Sequence, residues 1–237
     1  LQGDALLRAA GRYGLSLTPD LVLDESSQTL PFQQQAQGSA VRYVKYPLWI
    51  KARVENTSRK SPITSSFGGL DLIWSSPLSL SAPAGVKAEE LVKTTKRAWL
   101  QTRDFAIAPE DEGRYATEAE KTRGQYLLAA SLEGVLPMAY AGAGLPARPG
   151  AAALPPLPQE AKASRLVVVG SADFATDLMS LTDSGYNAFF AANAVEWAAY
   201  GPELAALKSR GSSDSSLSKV LDPLKRSRLA FFAIILN

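Results

Sequence analysis

Residues 164–200 read SRLVVVGSADFATDLMSLTDSGYNAFFAANAVEWAAY, and this stretch decides the predicted fold. The short apolar run at 166–169 is rich in Val and predicts a strand that is covered on both faces. Gly170 ends the run at a tight turn, where a side chain would be in the way. A helical pattern follows the turn, and a strand, a polar turn and a helix in succession are typical of an α/β domain.

The predicted helix carries one apolar stripe. Asp183 and Ser184 precede it and are candidate capping residues, because their side-chain oxygens accept hydrogen bonds from the first turn. Asn193 lies beside the stripe, and we expect it to bond to a neighbouring loop rather than to a ligand. The residues that form the stripe at helical spacing are Tyr186, Phe190, Ala194 and Trp197.

The composition limits the classes of function. The chain has 237 residues, is 46% hydrophobic, and carries 25 basic and 23 acidic residues, a net charge of +2. That charge is too small to indicate nucleic acid as a partner. The sequence has no Cys and no His, which excludes Cys–His and Ser–His catalysis and any metal site that uses His. Metal sites made only of carboxylates and Lys-based catalysis stay open, but we predict no enzyme activity, no cofactor and no metal.

Short apolar runs alternate with polar segments over the first 135 residues. Within 40–54, Pro47 predicts an edge strand or a break, because proline cannot donate to a sheet. The segments predicted from this pattern are a helix at 4–15, strands at 21–24, 40–54, 70–74, 91–95 and 126–132, a loop at 25–39, and a surface excursion at 101–123.

Two further segments bear on the domain organisation. Residues 141–163 are rich in Ala, Pro and Gly, which predicts a mobile loop inserted in a single domain spanning 1–237, although a domain boundary is the alternative. Residues 229–237 follow Lys225, Arg226 and Arg228 and are almost wholly apolar. They predict the start of a membrane anchor, and a packed final helix or strand is the alternative.

The best candidates for a site are Ser171 and Asp173, in the turn GSAD. Ligands of open α/β sheets bind at the carboxyl ends of the strands, so these two residues are candidate contacts for a ligand or partner. The alternative is that both side chains only bond to the backbone of the turn, which is the usual reason for Asp and Ser in turns.

Other polar and aromatic groups offer weaker signals. Glu110, Asp111 and Glu112 form a run of carboxylates that could attract a cation, but adjacent surface acids are usually just solvated. Gly68-Gly69 lacks the other glycines of a dinucleotide-binding loop. A third set could form either an aromatic binding face or part of a half-buried sheet: Tyr43, Tyr46 and Trp49.

Several motifs in the chain match one family in the correct order. Residues 165–174 resemble RIVVVGDSDF, with Ala172 where Ser is usual, and 187–197 resemble NxDLFLNAVNWL. Residues 125–134 resemble YxLAVALEG, and Tyr46-Pro47-Leu48-Trp49 resembles a segment that begins YP. These motifs make the chain similar to the GldG-like auxiliary proteins of ABC-type transport systems.

The resemblance implies a fold and a setting. The implied fold is flavodoxin-like or amidotransferase-like, a layered α/β structure whose central sheet is mostly parallel or mixed, with this chain starting in the middle of the domain. The implied protein is anchored at the extracytoplasmic, periplasmic face of the inner membrane, and its partners are an ABC transporter permease or other membrane subunits. Some relatives belong to gliding-motility machinery, and a related domain occurs in an intraflagellar transport protein.

The function expected from these observations is a non-catalytic interaction or ligand-sensing role in an ABC-type transport system. One alternative is a solute-binding component that delivers cargo to a permease. Another is an α/β enzyme acting on carbohydrate or ester through Asp173 or Lys residues. A deep apolar cleft at 170–173 would favour the solute-binding alternative, whereas a flat surface there would favour the interaction role.

Overall fold

A computed structural model describes residues 10–33, 41–65, 68–136, 150, 162–178 and 185–200. This part of the chain is mainly strand. The helical elements in it are residues 10–12, the short helix Ala119–Thr122, the long helix Tyr186–Tyr200, and 3-10 turns at Val54–Asn56, Pro109–Arg114 and Asp173–Ala175. The strands are β1 (Leu15–Leu17), β2 (Leu21–Leu23), β3 (Ser27–Gln33), β4 (Val41–Arg53), β5 (Gly69–Ile73), β6 (Leu78–Leu80), β7 (Lys87–Lys93), β8 (Trp99–Gln101), β9 (Leu127–Val135) and β10 (Ala163–Val169).

The strands form three sheets. Five strands make the largest sheet, in the order β1-β6-β9-β10, with β7 also paired to β9. β3, β4 and β5 form a three-stranded sheet, and β2 pairs with β8 in a sheet of two strands. Every pair of strands among the described residues is antiparallel.

The prediction of a flavodoxin-like or amidotransferase-like fold with a mostly parallel sheet is therefore wrong. The apolar run at 166–169 does lie in a strand, β10, but β10 runs antiparallel to β9, with Val167 opposite Ser131. Its residues are half-buried rather than fully covered on both faces. A Val-rich run specifies extended backbone and burial, and it carries no information on the direction of the neighbouring strand.

β4 is a long strand that serves two ladders. Its pairing with β3 shifts register so that Tyr46 faces Gln28 whereas Ile50 faces Ser27, and its pairing with β5 begins at Trp49. Pro47 lies within this shift and is opposite no residue in either ladder. Its carbonyl instead accepts a hydrogen bond from the N–H of Asp24 at 3.1 Å. The predicted break at Pro47 is thus a change of ladder inside one continuous strand.

The largest buried cluster joins all three sheets to the long helix. Val22 of β2, Leu72 of β5 and Leu128 of β9 are fully buried in it, together with Phe190 of the helix. Burying apolar surface from every sheet against the same helix favours their association, because the free energy gained scales with the area removed from water. The helix therefore closes the core instead of covering one face of a parallel sheet.

A buried carboxylate fixes the end of β2. Asp24 is fully buried, and its Oδ2 accepts from the N–H of Thr95 at 2.6 Å. Its Oδ1 accepts from the Thr95 hydroxyl at 2.6 Å and from the N–H of Ser26 at 2.9 Å. Three donors to one carboxylate compensate for the loss of water, so Asp24 ties the turn after β7 to the turn after β2.

Other segments differ from the expectations or lie outside the described residues. The predicted loop at 25–39 instead contains strand β3, which pairs with β4 although most of its residues are polar. The region 101–123 buries Ala106 and Tyr115, so it is more than a surface excursion. Four predictions concern residues outside the described part: most of the loop at 141–163, the candidate caps Asp183 and Ser184, residues 4–9 of the first helix, and the anchor segment at 229–237.

Candidate functional site

The turn after β10 is tightly packed against its surroundings. Gly170 donates its N–H to the carbonyl of Leu128 at 2.8 Å and accepts from the N–H of Ser76 at 2.8 Å. A Cβ atom at Gly170 would lie 2.2 Å from the Ser76 carbonyl oxygen, so only glycine fits. The prediction that a side chain would obstruct this turn is confirmed. The obstructing group is the Ser76 carbonyl, which belongs to a neighbouring chain segment.

Ser171 and Asp173 have different environments. Ser171 is buried, and its hydroxyl donates to the carbonyl of Ile73 at 2.6 Å. Asp173 starts a 3-10 turn and is half-buried, and its carbonyl accepts from the N–H of Thr176 at 3.2 Å. The carboxylate of Asp173 makes no hydrogen bond to another described residue. The Ser171 side chain thus bonds two chain segments together, whereas the Asp173 carboxylate has no hydrogen-bond partner among the described residues.

Two grooves are lined by described residues outside the turn at 170–173. One groove of about 360 Å³ lies in the region 101–121. The other, of about 510 Å³, lies beside β6 and includes Lys93 and Tyr126 in its lining. Burial raises the pKa of Tyr126, and the negative charge of Asp20 adds to the rise.

The long helix is anchored by buried side chains. Asn187 donates from Nδ2 to the carbonyl of Asp71 at 2.6 Å and accepts at Oδ1 from the N–H of Asp71 at 2.9 Å. The same Nδ2 donates to the carbonyl of Phe174 at 2.6 Å. Trp197 is buried, and the guanidinium of Arg165 lies 5.9 Å from the centre of its ring, within cation–π range. These contacts fix which face of the helix points outward.

The predicted apolar stripe packs inward in part. Phe190 and Trp197 are buried and Ala194 is half-buried, whereas Tyr186 is exposed. The side-chain Nδ2 of Asn193 donates to the carbonyl of Ile63 at 3.2 Å, so the expected bond to a neighbouring loop is confirmed.

The opposite face of the same helix is apolar and exposed. Phe189 is 65% exposed and Val195 is 68% exposed, although both are large and apolar. Around them are small exposed residues at spacings that place them on one side of a helix. We call this set the outer helix face. It comprises Ala188, Phe189, Ala192, Val195 and Ala199, and the half-buried Glu196 lies on the same side, seven residues after Phe189.

The aromatic residues of β4 do not form a common binding face. Tyr43 is 72% exposed, while Tyr46 and Trp49 are buried in the core. The hydroxyl of Tyr46 donates to the carbonyl of Ile107 at 2.6 Å and accepts from the indole N–H of Trp74 at 2.8 Å. Burial raises the pKa of Tyr46, and the bond from Trp74 partly opposes that rise.

The remaining sequence candidates have ordinary surroundings. Asp111 pairs with Arg114 at 3.2 Å, and Glu112 pairs with Arg42 at 3.1 Å. Among the described residues, no group of three or more acidic side chains is placed to hold a metal ion. Gly69 begins β5 with φ +156, where a Cβ atom would lie 2.6 Å from the Ala52 carbonyl oxygen, so it serves the sheet.

The apolar spacing in the sequence predicted the inner side of the long helix but not its exposed outer face. The available signal was that residues 186–200 include only one charged residue, Glu196, so the helix is apolar on nearly every side. Such a helix is normally buried all round. Within the described ranges, no helix is both long enough and apolar enough to cross a membrane.

Comparison with known proteins gives one match. A family model described as ABC-type uncharacterized transport system matches residues 4–198, which is well over half of the chain. No curated protein and no solved structure matches the chain.

Proposed function

The chain belongs to this family of auxiliary components of ABC-type transport systems, and from that membership we propose that it is a non-catalytic interaction module. In this proposal the outer helix face binds a membrane-embedded subunit of the transport system. The exposed apolar surface of Phe189 and Val195 is the observation that carries the proposal. An exposed apolar helix surface is typical of a site that another protein covers.

The character of the helix favours a protein partner over direct contact with lipid. Helices that lie in a membrane surface usually carry Lys and Arg on their polar side, which bind anionic lipids. Residues 186–200 contain neither Lys nor Arg. The side away from the outer helix face is occupied by the core, through Phe190 and Trp197. An apolar surface of a permease subunit is therefore the better occupant.

The turn at 170–173 supports the same role. The hydroxyl of Ser171 is buried and is already bonded to the carbonyl of Ile73. These facts favour an interaction role over the delivery of a solute bound at this strand end. In the proposal, the exposed side of Asp173 forms part of a partner contact.

The proposal includes a location. We place the domain at the extracytoplasmic face of the inner membrane. The support is the order of motifs shared with the GldG-like proteins, and a role in gliding motility is a narrower form of the same idea. Protease treatment of spheroplasts tests the location: the domain is expected to be digested while a cytoplasmic marker stays intact.

Photo-crosslinking in cells tests the contact. A photoreactive phenylalanine analogue replaces Phe189 in one variant and Tyr43 in the control, since both rings are largely exposed. The full-length protein is expressed with the tagged permease subunit of its own transport system. We expect a crosslink to the tagged permease from position 189 and none from position 43.

Equal crosslinking from both positions, or none from 189, would contradict the proposed contact. A second variant, Val195→Glu, places a charge on the outer helix face without touching the core. It is expected to abolish the crosslink and lower transport while leaving the folded domain intact, as judged by circular dichroism.

A further inference from the structure

A polar groove lies at the end of β8, on a part of the molecule separate from the outer helix face. β8 ends at Gln101, and the chain then passes through the 3-10 turn Pro109–Arg114 to the short helix Ala119–Thr122. The groove between these elements has a volume of about 360 Å³, a size suited to a small molecule. Its lining consists of Gln101, Arg103, Asp104, Arg114, Thr117, Glu118 and Lys121.

Gln101 has an unsatisfied donor. The residue is 4% exposed, and its Oε1 accepts from the N–H of Ala106 at 3.0 Å, which fixes the orientation of the amide. Its Nε2 is buried and has no hydrogen-bond partner. A buried donor without a partner destabilises the fold, so such groups are rare unless another molecule supplies the acceptor.

Three cations line the same groove. Arg114 is held in place because its Nη2 donates to the carbonyl of Asp104 at 3.0 Å, and its Nη1 bonds to Asp111 at 3.2 Å. Arg103 is 75% exposed and has only a long contact, 3.7 Å, with Glu118. Lys121 has no ion pair with a described residue. The cationic groups therefore keep donors that can serve a ligand.

The carboxylate of Glu118 is already used within the protein. It accepts from the N–H of Thr102 at 2.6 Å and from the Thr102 hydroxyl at 2.9 Å. These two bonds hold the pKa of Glu118 below its usual value. Asp104 supplies the second carboxylate of the lining, so the groove carries three positive charges against two negative ones.

We propose that this groove binds a small molecule bearing a carboxylate or phosphate group. The oxyanion lies among Arg103, Arg114 and Lys121, and one ligand oxygen accepts from the Nε2 of Gln101. Guanidinium groups suit both kinds of oxyanion, because their N–H donors match paired oxygen atoms. Asp104 in the same lining gives the ligand an acceptor for a hydroxyl or amino group. The inference needs no transporter partner, so it stands or falls separately from the proposed function.

Nuclear magnetic resonance on the ¹⁵N-labelled chain tests the groove. Inorganic phosphate and succinate are titrated separately at constant ionic strength, with sodium chloride as the reference. We expect saturable shifts of the Gln101 side-chain amide and of backbone amides in 101–121. The probe that saturates at the lower concentration identifies which oxyanion the groove prefers.

Charge-matched variants separate a site from general attraction. Lys121→Gln is expected to weaken binding about two- to five-fold, as for one half-exposed ionic contact. Lys87→Gln removes the same charge from the start of β7, outside the groove lining, and is expected to leave the affinity unchanged. Gln101→Glu keeps an oxygen for the N–H of Ala106 but removes the free donor, and it is expected to abolish binding.

Three results would overturn the inference: shifts that do not saturate, shifts that chloride reproduces, or equal affinities of Lys121→Gln and Lys87→Gln. If Gln101→Glu does not fold, the two lysine variants decide the matter alone. If the chain binds neither phosphate nor succinate but still crosslinks from position 189, the proposed oxyanion site is contradicted and the proposed interaction role is not.

Discussion

Asn187 forms a paired hydrogen bond with the backbone of Asp71, donating to its carbonyl at 2.6 Å and accepting from its N–H at 2.9 Å. The side-chain amide thus takes the place that a neighbouring strand would have beside β5. β5 pairs with β4 on one side only among the described strands. One side chain therefore both satisfies the backbone of an edge strand and positions the long helix.

Replacing this amide is expected to be costly. Asn187→Ala removes three hydrogen bonds, two of them buried, so the free energy of unfolding is expected to fall by about 2–4 kcal/mol. Asn193→Ala is the matched control: it removes one bond, to Ile63, and is expected to cost about 0.5–1 kcal/mol. Both substitutions gain the same helix propensity, so urea unfolding curves report the difference in bonds. Equal losses of unfolding free energy in the two variants would show that the hydrogen bonds to Asp71 stabilise the fold no more than the single bond to Ile63.

The tight turn after β10 predicts a second difference between matched variants. Gly170→Ala puts a methyl group where the Ser76 carbonyl leaves no room, and is expected to lower the unfolding free energy by about 2–4 kcal/mol. Gly113→Ala is the control, because no atom lies within 4 Å of a Cβ atom at that position. Thermal unfolding checks the pair, and a stable Gly170→Ala protein would mean that the turn is built differently.

The register between β9 and β10 can be tested with cysteines, since the chain has none of its own. Val167→Cys combined with Ser131→Cys puts two thiols at directly opposed positions on one side of the sheet. We expect a disulfide under mild oxidation, read as a shift in gel mobility that a reductant reverses. Val168→Cys combined with Ser131→Cys places the thiols on opposite faces and is expected to stay reduced. Crosslinking of the second pair in preference to the first would refute the register.

The contribution of Tyr46 to the stability of the fold depends on pH, and the direction of that dependence follows from its burial. Its phenol has a pKa above the ordinary 10.0 because burial disfavours the charged form. The folded protein therefore keeps a proton that the unfolded chain has already lost, so this contribution to stability is complete below pH 10 or so and disappears as the pH rises through the folded pKa. An ultraviolet titration of wild type minus Tyr46→Phe is expected to show a phenol titrating above 10, with Tyr43→Phe as the exposed comparison. A difference curve centred at or below 10 would contradict the burial argument.

The sequence predicted local secondary structure and contacts better than it predicted how the strands pair. Val167 and its neighbours indicated a strand, and Asn193 indicated a contact to a loop, because both signals depend on burial and spacing along a few residues. The antiparallel partner of β10 depends on residues about 35 positions away, for which a short apolar run carries no information. Polar β3 was missed for the same reason, since its strand form comes from pairing with β4.

The candidate sites were likewise predicted where they depend on a few neighbouring residues and missed where they depend on the packing of distant elements. Gly170 could be interpreted from its place after an apolar run, although the obstructing Ser76 carbonyl could not be foreseen. The unpaired amide of Gln101 and the exposure of Phe189 depend on how distant elements pack, and neither residue type is unusual in a sequence. Family membership came from ordered motifs, and those motifs gave no indication that the strands pair antiparallel.

The order of the strands has a consequence for the time course of folding. β3, β4 and β5 follow one another in the chain and pair only with each other, whereas β1 must find β6 and β2 must find β8 across many intervening residues. Contacts between neighbours in sequence close short loops and lose little chain entropy, so they form early. On a ribosome, the three-stranded meander can assemble before β9 has been synthesised. In hydrogen-exchange labelling during refolding, we therefore expect the amides of β4 to become protected before those of β9. During synthesis, the five-stranded sheet lacks its central strand until β9 emerges, and the nascent chain is most prone to aggregate in that interval.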